Sequence, residues 1–203
     1  MRSFINREGN KSIKSMYVAR QPVHSGIQKF LDVLSFGNYS KRKKKLGYDD
    51  VYHNYLIVEL ENGKKYKIEK NHVVETREAS KSDLSNEKYL VPLLDRDIKL
   101  DKLIGNAAKD DSKFWRYDPA NKNCQWFVQD VLENNGLDRN ITDKKAKEVV
   151  KPQDGIALLD SLGSLSTVPK MVTDFTASAD TYIYGQGIKK KITVDQLFDL
   201  ANK

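Results

Sequence analysis

The chain's one cysteine, Cys124, stands where a short helix is expected to begin. Asn123 before it is a capping residue type, and Asn134-Asn135-Gly136 supplies a left-handed stop. Between those signals Cys124, Phe127, Val128 and Val131 fall at i, i+3, i+4 and i+7, which is one helical stripe. The thiol therefore sits on the first turn, on the side expected to face inward. A helix start carries partial positive charge and unpaired N–H groups, which favour a thiolate and could hold an oxyanion. The bland alternative is a buried cysteine that serves as a small hydrophobe.

A thiol does chemistry when a base stands beside it, and the chain has three histidines. His24 lies in a loop and receives no role. His53 heads the segment Tyr52 to Leu60, which reads as a strand. Lys64 to Val74 is its return, and Glu61-Asn62-Gly63 between them is hairpin chemistry. The turn decides what faces His53. A two-residue turn through Asn62-Gly63 sets His53 opposite His72. A three-residue turn with a Gly bulge sets Tyr55 opposite Glu69, and Glu69 becomes the diagonal neighbour of His53. A carboxylate is the better partner, because it accepts the ring N–H and stabilises an imidazolium. The expected catalytic set is therefore Cys124 as nucleophile, His53 as general base and Glu69 as orienting group, with His72 as second choice. Gln125 could polarise an acyl oxygen or point to solvent. The set requires Cys124 and His53, 71 positions apart, on one side of the sheet. Opposite faces exclude it.

A histidine hairpin followed by a cysteine helix resembles the circularly permuted branch of the papain-like superfamily, which includes NlpC-type peptidases and lecithin:retinol acyltransferase-like enzymes. The Asn-Cys-x-x-Phe-Val string at 123–128 carries the most specific part of that likeness, which covers about residues 48 to 137. It implies an α+β fold, an antiparallel sheet packed against the cysteine helix. It also implies a hydrolase or acyltransferase that forms a thioester with an acyl substrate, whether peptide, amide or lipid ester. The family's usual place for the third residue, nearer the hairpin turn, also suits Glu69. The alternative is a non-catalytic structural or binding protein that retains the fold, anchored through its basic N-terminal arm and its C-terminal tail.

The elements around the site divide into a basic arm with an amphipathic helix (1–47), a papain-like core (48–150) and a C-terminal tail with short helices (151–203). Charge separates the first of these. Residues 1–50 hold eleven Lys+Arg against four Asp+Glu, which accounts for the whole net charge of +7. Residues 1–24 have few apolar positions and read as extended or disordered. Ile27, Phe30, Leu31 and Leu34 have helical spacing and precede Lys41-Arg42-Lys43-Lys44-Lys45. Such a helix and basic run, residues 27–45, suit an anionic membrane surface; nucleic acid fits less well, because no aromatics alternate with the lysines. The competing reading packs the helix on the core.

Further along, 76–88 reads as a polar connection and 89–94 as a short strand ended by Pro92. Residues 100–107 read as a helix, 114–117 as an aromatic cluster belonging to the core, and 143–150 as a lysine-rich surface helix. Ile156, Leu159 and Leu162 suggest one apolar face. A capping box at Thr193 opens a last helix that could dock on a protein partner. The sequence has no Gly-rich phosphate loop and no zinc-spaced Cys/His cluster, so no cofactor and no metal is expected. One cysteine, no secretory leader and no long apolar run predict a cytoplasmic or other reducing compartment, membrane-peripheral at most.

Overall fold

The structure is a computed structural model, and it describes residues 1–23, 25–71, 73–109, 114–118 and 122–159. The C-terminal capping box, Leu162 and His72 lie outside the described residues. So do the side chains of Ile27, Phe30, Leu34 and Leu159. Two compact units are present. One comprises Met1–Gln21, His53–Tyr117 and Lys122–Pro152, and the other comprises Pro22–Tyr52, Asp118 and the described residues from Gln153 onward.

The first unit is α+β. Strands β1 (Ile13–Pro22), β2 (Tyr52–Leu60), β3 (Lys65–Lys70), β4 (Val74–Glu78) and β5 (Glu87–Val91) form one antiparallel sheet in the order β4-β3-β2-β1-β5. Residues 1–21 are therefore not an arm. Arg2–Glu8 is a helix, α1, and β1 lies inside the sheet between β2 and β5. Ile13, Met16, Val18 and Ala19 are buried, while the polar residues between them find partners across the sheet: Lys14 pairs with Glu59 at 3.3 Å and Arg20 with Glu87 at 2.7 Å. The polar stretch 76–88 likewise becomes β4, the short helix α4 (Lys81–Ser85) and the start of β5.

Large apolar side chains cover one face of the sheet. Leu56, Val58, Leu60, Ile68, Met16 and Val18 pack with Phe4 of α1 and with α5 (Leu100–Ala108), α6 (Cys124–Asn134) and α7 (Lys144–Val150). Phe114 is fully buried in that core whereas Trp115 is half exposed. Helix α7 is not a surface helix, because Ala146, Val149 and Val150 are buried on its inner side. The opposite face holds a smaller cluster of Ala19, Tyr55 and Ile57, with Ala79 and Leu84 packed against it.

The second unit contains α2 (Ser25–Leu34), α3 (Asn38–Lys45) and α8 (Gly155–Leu159). Tyr39 and Leu31 are buried. In α8 Ala157 and Leu158 turn inward while Ile156 is exposed, so the face expected through Ile156 is rotated. No helix among the described residues is long and apolar enough to cross a membrane.

Candidate functional site

The hairpin turns through Glu61-Asn62-Gly63. Leu60 N donates to Lys64 O at 2.9 Å, Gly63 N donates to Leu60 O at 2.8 Å, and Gly63 takes φ +79°. Glycine holds that left-handed position at little cost. The turn fixes the register at Leu56↔Ile68, which when continued sets Tyr55 opposite Glu69. His53 Nε2 and Glu69 Oε2 are 2.7 Å apart, and both side chains are buried.

Glu69 has a second partner that sequence reading passed over. Lys67 Nζ lies 2.6 Å from the same Glu69 oxygen, 3.7 Å from Asp83 Oδ1 and 4.2 Å from the centre of the Tyr55 ring. Arg77, opposite Lys67 in the β3–β4 register, grips Asp83 with both terminal nitrogens at 2.5 and 2.8 Å. Asp83 also closes a capping box with Ser80 at the start of α4. Burial alone would raise the Glu69 carboxyl, but the His53 hydrogen bond and the His53 and Lys67 charges outweigh it and hold it down at about 2. Burial likewise raises Asp83, and Arg77, Ser80 and Lys67 bring it down to about 2. The alternation of Lys67 and Glu69 with Tyr66 and Ile68 was visible in the sequence; it places both charges on one face. Asp83 carried no such signal, because its partners are on other elements.

Cys124 opens α6 as its spacing predicts. Asn123 caps the helix, its Oδ1 accepting from Gln125 N at 2.9 Å and Trp126 N at 3.3 Å. Gly136 follows the helix in the left-handed region at φ +63°. Gln125 is buried and does not point to solvent. The thiol itself is free and half-buried.

Strand alternation sorts the side chains of β2 between the two faces of the sheet. Leu56, Val58 and Leu60 enter the large core, and Tyr55 and Ile57 enter the small cluster on the other face. His53 belongs with the second set. Its ring stacks 6.2 Å from that of Tyr55, and it bonds Glu69, which reaches Lys67. Asn54 turns the other way and donates to Val149 O of α7 at 2.8 Å. Helix α6 packs on the side of Asn54, since Phe127, Val128, Val131 and Leu132 share the large core with Leu56 and Ile68. Cys124 lies on that same helical stripe. The sheet thus brings His53 and Glu69 together and places the helix that carries Cys124 across from them. A proton transfer needs heavy atoms about 2.6–3.2 Å apart, or one water between them.

Among the described residues no group of three or more His, Cys, Asp or Glu side chains is arranged to hold a metal ion. No family model, no curated protein and no solved structure matches the chain.

The basic run divides by face. On α3, Tyr39 is buried and Arg42, Lys43 and Leu46 lie on its side at i+3, i+4 and i+7. Arg42 Nε donates to Ala157 O at 3.1 Å, and Lys43 Nζ donates to Gln28 Oε1 at 3.1 Å and lies 3.9 Å from Asp50. Lys41, Lys44 and Lys45 are exposed on the outer side, and α3 contains no acidic residue. Leu31, expected among the groups offered to lipid or a partner, is instead buried.

Proposed function

We propose that the chain is a non-catalytic binding protein with a papain-like layout that docks on anionic surfaces through the outer face of α3. The observation that supports this reading most is strand alternation, which turns His53 and Glu69 toward Tyr55 and Lys67, on the face opposite the one that Phe127, Val128 and Val131 of α6 cover. In place of a catalytic pair, the histidine belongs to a five-residue charge network that ties β2, β3, β4 and α4 together. The second support is the undivided positive face of Lys41, Lys44 and Lys45. Near an anionic surface each such lysine contributes about 1 kcal/mol, and the attraction falls within a Debye length of about 8 Å at physiological salt.

Binding to vesicles that contain phosphatidylserine should therefore weaken steeply between low and moderate salt. Replacing all three lysines by Gln should abolish it while leaving the unfolding midpoint unchanged. Salt-insensitive binding, or full binding by the triple variant, would contradict the proposal.

A second reading, a thiol hydrolase or acyltransferase acting on an amide or ester, draws on the His53–Glu69 hydrogen bond. That bond lies at the register the papain-like resemblance calls for. It requires Cys124 within hydrogen-bond reach of the imidazole, and thiol labelling separates the two readings.

A further inference from the structure

The corner that joins α2 to α3 exposes an aromatic ring. Phe36 is 93% exposed and adopts φ +51°, a left-handed conformation that side chains other than glycine take at a cost. Hydrogen bonds close the corner. Gly37 N donates to Asp32 O at 2.8 Å and Tyr39 N to Ser35 Oγ at 2.8 Å. Ser40 donates to both Asp32 carboxylate oxygens, from N at 2.9 Å and from Oγ at 2.7 Å. These bonds hold the ring outward, so the chain carries both backbone strain and an unburied phenyl. Val33 beside it is also exposed, at 53%. Neither residue belongs to the apolar pattern Ile27, Phe30, Leu31, Leu34 that sequence spacing picks out, and Leu31 of that pattern is buried. The Asp32 carboxylate is spent on the start of α3, leaving the outer face of that helix to Lys41, Lys44 and Lys45.

We propose that Phe36 and Val33 insert into the headgroup–acyl boundary of an anionic lipid bilayer while the three exposed α3 lysines engage lipid phosphates. This rests on the reading of α3 as an anion-docking face and names its partner. Interfacial binding draws on two signals, an apolar group that enters the boundary and charge that holds the protein there. An exposed ring five residues before the first of three exposed lysines provides both. A second copy of the chain is a poor occupant, because the same lysines would face each other. A nucleic acid is also poor, because an aliphatic Val33 beside a single ring gives no stacking platform.

The test uses the full chain in vesicle flotation, with phosphatidylserine–phosphatidylcholine vesicles against phosphatidylcholine alone. Wild type should float only with the anionic vesicles. Phe36→Ser should lose affinity by about tenfold or more, the effect of removing a buried ring. Phe36→Trp should keep binding, and its fluorescence should move to shorter wavelength on the vesicles. Phe36→Gly, which relieves the left-handed strain, should also lose binding and should melt no lower than wild type. If Phe36→Ser floats like wild type while the triple lysine variant does not, insertion is wrong and the anionic face stands. If the triple lysine variant floats as well as wild type, the anionic face itself is wrong. Lower melting of Phe36→Gly would assign the ring to the fold and overturn insertion. A nucleic-acid duplex whose binding also fails in Phe36→Ser would overturn the lipid assignment.

Discussion

Lys67 shows what the histidine is held by. It is 1% exposed, and its amine sits between Glu69 and Asp83 above the Tyr55 ring. Removing one member of a buried charge set leaves the others uncompensated, which costs about 3–5 kcal/mol. Lys67→Met should lower the unfolding free energy by about that amount in a urea titration, although the side chains are close in length. A loss under about 1 kcal/mol would mean that Glu69 and Asp83 are satisfied without it. At this scale the sequence was legible in part. The His53–Glu69 contact follows from turn chemistry and strand period, both local. Lys67 was overlooked because a lysine in a strand is ordinarily taken as solvated, and only its partners explain its burial. Which face of the sheet α6 covers is a long-range choice that the spacing of neither Cys124 nor His53 encodes.

Among the elements, the β2–β3 hairpin sets the register for that network, and Gly63 sets the hairpin. A Cβ at Gly63 would meet nothing within 4 Å, so Gly63→Ala isolates the cost of φ +79° from any clash. It should destabilise by about 1–2 kcal/mol in thermal or urea unfolding, with the fold retained. An unchanged midpoint would contradict the three-residue turn. Helix α6 was readable because period, cap and stop signals agree, α5 from its apolar spacing alone, and β5 from an apolar run ended by Pro92. Strand β1 was not. Its lysine and arginine obscured the alternation, and the carboxylates that neutralise them come from β2 and β5. On α3 the composition revealed the charge, while only the burial of Tyr39 told which three lysines face outward.

For the whole molecule, the buried carboxylates set the response to acid. Glu69 and Asp83 are both held at about 2, against ordinary values of 4.5 and 3.8. A carboxyl whose folded pKa is depressed contributes stability that is fully present above its unfolded pKa and is lost as pH falls through the folded one. The unfolding free energy should therefore hold steady down to about pH 5 and then drop until about pH 2. Glu69→Gln should be less stable at neutral pH and should show a shallower acid slope. The two-unit organisation was only partly visible in composition, because residues 1–21 carry the arm's charge yet belong to the sheet. The central proposal is that Cys124 and His53 do not act on each other. It is tested most directly by the rate at which a small alkylating reagent modifies Cys124 in the folded chain, followed by intact mass between pH 6 and pH 8. His53→Gln keeps a hydrogen-bond donor for Glu69 and serves as the comparison. The account predicts rates within about twofold of wild type at each pH, and a fall of about tenfold or more in His53→Gln would contradict it.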